Sequence, residues 1–141
     1  MSRLTLALAF LALACTGPMS IDPFGERSSA ARLQFEDGST EAVGQLLAFD
    51  PRGHTLDISI ELPLDQPDDI EIFLVPPSGI RYQVLGSFQN CEVDGAARRC
   101  PRRLPALTTE TADAWRVEAL RSEAGGATSI EVSVSWVSVS N

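Results

Sequence analysis

Apolar side chains recur at every second position in several stretches of this chain, and that period commits each stretch to a strand with one buried face. Ile58, Ile60 and Leu62 alternate with Asp57, Ser59 and Glu61, and Ile130, Val132, Val134 and Trp136 alternate with Glu131, Ser133 and Ser135. Ile70, Ile72 and Leu74 repeat the pattern, with Phe73 and Val75 making the opposite face partly apolar. Trp115, Val117 and Ala119 start another such run, while Leu33 with Phe35 and Val43 through Phe49 are weaker ones. No window repeats apolar residues at helical spacing. About six or seven short strands with turns between them predict an all-β chain, a single antiparallel β-sandwich over residues 30–141.

One turn can be read in chemical detail. Pro76-Pro77-Ser78-Gly79 supplies fixed φ at the prolines and a glycine free to take positive φ. It predicts a hairpin from the strand at Ile70–Val75 to a return strand carrying Ile80, Tyr82 and Val84. The segment from about 92 to 113 breaks the alternation and is expected to be a long connection.

The N-terminus carries a different signal. Arg3 precedes an uncharged run from Leu4 to Ala14 that ends in Ala-Leu-Ala before Cys15. That is the layout of a secretory signal peptide, residues 1–14. At about 1.5 Å per residue the run is too short to cross a hydrocarbon core of roughly 30 Å. Leu11-Ala12-Leu13-Ala14-Cys15 resembles the lipobox of bacterial lipoproteins, with Ala12 where that family prefers Leu. The resemblance implies cleavage before Cys15, acylation of its sulfur, and a bacterial cell-envelope location. Thr16 after the cysteine points to the outer membrane. The alternative is ordinary cleavage after Ala14, leaving an unacylated secreted or periplasmic protein. Residues 15–29 lack periodicity and are rich in Gly, Pro and Ser, as in a flexible tether.

Export bears on the remaining cysteines. With Cys15 lipidated, Cys91 and Cys100 are an even pair in an oxidising compartment, which predicts a disulfide. It closes a loop of about ten residues and contributes roughly 2.5–3 kcal/mol on the chain-entropy model. Zinc is the competing reading, but Cys91, Cys100 and the lone His54 show no closely spaced ligand pairs.

The charge narrows the partners. At a formal net charge of −8 the chain is repelled by phosphate backbones, so nucleic acid is excluded as an expected partner. Arg98, Arg99, Arg102 and Arg103 form the basic exception, placed by this reading on a stapled loop. As a contact they suit anionic glycans, lipopolysaccharide phosphates or an acidic protein, because guanidinium pairs with such groups bidentately. As a solvated loop they do no more than keep a long connection soluble.

The hairpin also carries a family likeness. Asp69-Ile70-Glu71-Ile72-Phe73-Leu74-Val75-Pro76-Pro77-Ser78-Gly79 resembles the signature of the P domain, the β-sandwich module of subtilisin-like proprotein convertases and many exported bacterial proteases. Ala114-Trp115-Arg116-Val117 and Ser135-Trp136 are similar to that family's late strands, and the likeness covers roughly residues 55 to 137. It departs at Ile80, where the family has Thr, and in the Cys91 to Cys100 loop. The resemblance implies a P-domain-like or galactose-binding-like jelly roll.

Catalysis finds little support. A Ser-His-Asp hydrolase needs a base, and His54, the one histidine, sits in the turn-like Pro51-Arg52-Gly53-His54 with no nucleophile elbow around any serine. Asp68 and Asp69 are adjacent, and adjacent strand residues point to opposite faces. Asp65, Asp68 and Asp69, with Glu61 near, offer oxygen ligands of the kind Ca²⁺ takes, without EF-hand spacing. No other cofactor is expected. The sequence therefore reads as a non-catalytic, lipid-anchored envelope protein whose sandwich binds a protein or a glycan. The alternative is a structural or accessory subunit of an envelope or secretion assembly.

Overall fold

A computed structural model describes residues 25–52, 55–65, 69–86 and 91–137. The described chain is all β, in two antiparallel sheets. The strands are β1 (Glu26–Phe35), β2 (Glu41–Phe49), β3 (Leu56–Pro63), β4 (Ile70–Val75), β5 (Tyr82–Leu85), β6 (Glu92–Asp94), β7 (Ala97–Leu104), β8 (Asp113–Arg121) and β9 (Thr128–Val137). A five-stranded sheet has the order β1-β9-β3-β7-β6 and a four-stranded sheet the order β2-β8-β4-β5. Strands from the two halves of the chain interleave in both sheets, which is the jelly-roll form of the sandwich.

The alternation that announces the strands also fills the core. Leu56, Ile58, Ile60 and Leu62 of β3 face Ile130, Val132, Val134 and Trp136 of β9 on the inner side of one sheet, all buried. Leu46, Trp115, Val117, Ile72 and Leu74 come from the other sheet. Within the core Phe49 meets Trp115 and Trp136 edge-on, with ring centroids 5.0 and 5.1 Å apart. Such edge-to-face pairs add about 0.5–1.5 kcal/mol each beyond area burial.

Phe49 reaches that position through a fault in the ladder. Strict alternation from Ala42 and Leu46 would turn residue 49 outward. Between Leu46 and Phe49 the register with β8 shifts, and Ala48 takes φ 53°, the left-handed region. One extra residue resets the parity. On the opposite side of β2, a Cβ at Gly44 would lie 2.9 Å from the carbonyl oxygen of Arg32. Glycine there lets the edges of β1 and β2 close one flank of the sandwich.

The hairpin forms with Gly79 at φ 87° and its N–H bonded to the Pro76 carbonyl at 2.9 Å. Three expectations are corrected. The return strand β5 begins at Tyr82, leaving Ile80 in the turn and 53% exposed. Strand β1 begins at Glu26, inside the stretch 15–29 read as tether, because Glu26 to Ser29 pair with Val137 to Val134 through backbone alone. The expected connection from 92 to 113 instead holds β6 and β7, a hairpin turning at Gly95 with φ 65°. Cys15 and most of the tether, with the whole signal segment, lie outside the described residues, as do His54 and Asp68.

The turns define two ends. At one end lie residues 36–40, 64–65 with 69, 95–96 and 122–127, where β1 and β3 finish. At the other lie residues 50–52 with 55, 76–81 and 105–112, beside the start of β1. Among the described residues each end has one buried charged side chain, Arg121 at the first and Glu110 at the second.

Candidate functional site

Being a strand splits the arginine cluster in two. Register with β3 sets Arg99 opposite Glu61 and Arg103 opposite Asp57, on the solvent side. Arg98 and Arg102 instead stand opposite Leu62 and Ile58, on the inner side at the flank of the sheet, where both are half-buried. Arg102 Nη1 donates to the Pro101 carbonyl at 2.7 Å. Only Arg99 and Arg103 therefore belong to the exposed face. Cys91 and Cys100 form the expected disulfide, with Cα atoms 4.6 Å apart, tying the edge strand β6 to β7.

The outer face of the five-stranded sheet is ordered in rows across the strands. Ser28, Ser135, Asp57 and Arg103 make one row, and Ala30, Ser133, Ser59 and Pro101 the next on that face. Arg32, Glu131, Glu61 and Arg99 make the third. Small side chains leave a hollow of about 280 Å³ floored by Ser28, Ser59, Ser133 and Ser135. Beyond the third row lies a second hollow of about 530 Å³, bordered by Arg32, Glu61, Pro63, Ala96 and Glu131.

Charges wall these hollows. Glu61 and Glu131 stand directly opposite each other, an arrangement that costs stability between like charges. Each is offset by its own arginine, Arg99 on Glu61 at 3.0 Å and Arg32 on Glu131 at 3.4 Å, and Arg99 also reaches Asp94 at 3.3 Å. Arg103 bonds its cross-strand neighbour Asp57 at 2.8 Å, beside the serine floor. Exposed pairs of this kind contribute about 0–1 kcal/mol each, so a ligand that exchanges for one partner meets little resistance.

The outer face of the four-stranded sheet contrasts with this. Arg81 lies 5.0 Å from the Phe73 ring centroid and donates through Nε and Nη2 to Glu118 Oε1, at 3.1 and 2.7 Å. Arg116 holds Oε2 at 2.7 Å. Burial works to raise the Glu118 carboxyl, but the bonds and charges of the two arginines prevail and hold it below the usual carboxylate range. Its polar groups are engaged with one another, over a smaller hollow of about 230 Å³.

The calcium candidates come together only in part. Asp65 and Asp69 border a cleft of about 320 Å³ shared with Glu123 and Arg121. Asp69 Oδ2 accepts from Ser122 Oγ, while Oδ1 is buried without a hydrogen-bond partner. Among the described residues no group of three His, Cys, Asp or Glu is arranged to hold a metal ion.

Sequence reasoning placed Ser59, Ser133 and Ser135 outward but missed that register gathers them with Ser28 into one floor. Outward serines at alternating positions were the available signal. Their alignment across strands distant in sequence was not readable from one stretch.

No family model matches the chain, and no curated protein matches it by sequence. Solved structures do resemble it. A structure of the cyanophage Pam1 capsid aligns with a TM-score of 0.55 at 15% identity, over 89% of this chain and 96% of that chain. A β-porphyranase of glycoside hydrolase family 86 from the gut bacterium Bacteroides plebeius aligns with a TM-score of 0.50 at 13% identity, over 82% of this chain and 21% of that one. This chain thus spans about a fifth of the porphyranase. A carbohydrate-binding module specific for non-crystalline cellulose aligns with a TM-score of 0.47 at 11% identity, over 73% of this chain and 69% of that module. At these identities the likeness is one of fold.

Proposed function

We propose that this protein is a non-catalytic binding module, held at a bacterial envelope membrane by lipid on Cys15, that takes an extended glycan across the outer face of its five-stranded sheet. The observation that carries the binding reading is the serine-floored hollow bordered by the Asp57–Arg103 pair and, one row on, by the charged row of Arg32, Glu131, Glu61 and Arg99. Hydroxyls, exposed carboxylates and guanidinium groups in one shallow trough are hydrogen-bonding partners for a polyhydroxylated chain. Trp115 and Trp136 are committed to the core, which leaves hydrogen bonding rather than ring stacking to supply contact at this face. The carboxylates nearest the trough are exposed and arginine-paired, which suits binding better than acid–base chemistry. The lipobox-like Leu11 to Cys15 and the disulfide support an exported, anchored protein. The P-domain-like hairpin belongs to the same proposal.

Titration calorimetry of the full chain against envelope glycans, with Ser133→Trp as the comparison, tests the site. Ser133 lies on the outer face, so tryptophan there fills the trough without entering the core. At least tenfold loss of affinity with an unchanged melting temperature is expected. Equal binding by the variant removes the trough from the proposal. The intact mass of protein from the membrane fraction shows whether Cys15 carries acyl chains.

A further inference from the structure

We infer that the anchored sandwich stands on the membrane with the end that bears the start of β1 toward the lipid, its acidic end directed away from an anionic surface. The inference rests on the acylation of Cys15 proposed above. The strand begins at Glu26, and the stretch from Cys15 to Glu26 reaches about 35–40 Å when fully extended. That reach is comparable to the length of the sandwich, so the tether attaches at one end without fixing which end faces the lipid, and the charge of the two ends decides.

That end differs in charge from the other. Around it stand Arg27, Arg52, Arg81, Arg103 and Arg116, all exposed, against the carboxylates of Glu26, Asp50, Asp57, Glu110, Asp113 and Glu118. The balance is close to neutral. At the far end the turns carry Glu36, Asp37, Asp65, Asp69 and Glu123, and Asp94 ends β6 beside them. Of the cations beside them, Arg121 is buried, Arg99 is paired with Asp94 and Glu61, and Arg32 with Glu131, so the excess of acid remains. Exposed Ile80 lies in the 76–81 turn of the near end, where it can meet the interface.

Distance decides how strongly this polarity acts. The β1 strand has 10 residues, so at about 3.3 Å each the ends are roughly 33 Å apart. Screening at physiological salt has a length of about 8 Å. With the arginine-bearing end down, the acidic turns lie several screening lengths from the lipid. Inverted or laid over, they enter the negative surface potential and are repelled. Strands then run along the membrane normal, and the rows of the outer face run parallel to the surface. A linear ligand in the serine trough lies along the membrane rather than pointing away from it.

The acylated full chain is reconstituted into vesicles of phosphatidylcholine, with and without phosphatidylglycerol. A fluorophore is placed at Ile80→Cys or at Ala124→Cys, the latter in the exposed far turn. A headgroup-bound quencher is expected to quench the Ile80→Cys probe several-fold more than the Ala124→Cys probe on anionic vesicles. High salt, or the pair Arg27→Glu and Arg103→Glu, is expected to shrink that ratio, with an unchanged melting temperature showing the pair is folded. Equal quenching at both probes, or a ratio indifferent to lipid charge, overturns the orientation. Mass spectra of the same samples separate the two claims: an unmodified Cys15 overturns the anchor and the orientation together, whereas an acylated chain with equal quenching overturns the orientation alone.

Discussion

The two ends of the sandwich solve one problem with opposite charges. At the acidic end Arg121, 7% exposed, donates to the carbonyls of Ser39, Gly126, Gly125 and Glu36 at 2.7, 3.0, 3.1 and 3.3 Å. Its guanidinium carbon lies 4.4 Å from the Phe35 ring centroid. One side chain thus joins the turn after β1 to the turn after β8. At the opposite end Glu110, 8% exposed, accepts from the hydroxyls of Ser78 and Tyr82, joining the 105–112 loop to the hairpin turn. Turns rich in glycine present carbonyls, which call for a multidentate donor. The hairpin end presents hydroxyls, which call for an acceptor. The difference also decides which end responds to pH, because guanidinium stays charged throughout the range in which proteins are studied.

Removing the cation should therefore have the largest effect. Arg121→Leu withdraws four hydrogen bonds at once; the Gly125 and Glu36 carbonyls keep the backbone N–H groups of Gly38 and Ser39, while those of Ser39 and Gly126 lose their side-chain donor. A loss of about 3 kcal/mol is expected from urea unfolding. Arg121→Lys should recover little of it, because a compact ammonium cannot reach four carbonyls with the geometry of a planar fork. A loss below about 1 kcal/mol would show that the turns hold without the knot.

At the other end the expected loss is smaller. Glu110→Ala leaves two hydroxyls near water, able to find new partners, and about 2 kcal/mol should go. Glu110→Gln keeps an acceptor oxygen and should fall between the two. If Glu110→Ala costs more than Arg121→Leu, the ranking by number of satisfied groups is wrong.

Neither knot was legible in the sequence, and the reason is distance along the chain. Arg121 Nη2 and the Glu36 carbonyl are 85 residues apart, and Ser78 and Glu110 are 32 apart. No local pattern marks a residue whose partners are fixed by tertiary register. What was legible is what one stretch decides by itself: the alternation of β3, β4, β8 and β9, the Pro-Pro-Ser-Gly turn, and the even cysteine pair. Strand β7 escaped because arginines occupy both of its faces. At the flank of a sheet an arginine can lay its stem on apolar neighbours, so Arg98 and Arg102 fill positions that alternation reserves for apolar side chains. Pro101 hid it further, being unusual inside a strand. The start of β1 escaped because Glu26 to Ser29 pair through backbone, which leaves no apolar trace. Of the candidate site, the outward serines were visible one strand at a time, and their common floor was not.

The third contrast is chemical. The bond to Glu110 raises the Tyr82 phenol above its ordinary value, with burial and the carboxylate charge acting in the same direction. A raised folded value means that the protonated phenol is favoured by folding. Its contribution is complete below the unfolded value near 10 and disappears as pH rises through the folded one. The stability gap between wild type and Tyr82→Phe, about 1 kcal/mol at neutral pH, should close in strongly alkaline solution. The gap between wild type and Arg121→Leu should hold over the same range. A gap at Arg121 that closes in parallel would mean that the two ends share one titrating event.

The smallest expected effect tests whether the ends are independent. Arg121 and Glu110 share no hydrogen-bond partner and sit at opposite ends of strands of 9 and 10 residues, separated by the packed core. Substitutions more than about 10 Å apart without common partners add to within about 0.5 kcal/mol. The double variant Arg121→Leu with Glu110→Gln should therefore lose the sum of the single losses within that margin. A larger departure would mean that β8, which runs from the Glu110 loop to Arg121, transmits strain along its length. The two ends would then be one cooperative device, and the opposite signs of their buried charges would have to be explained together.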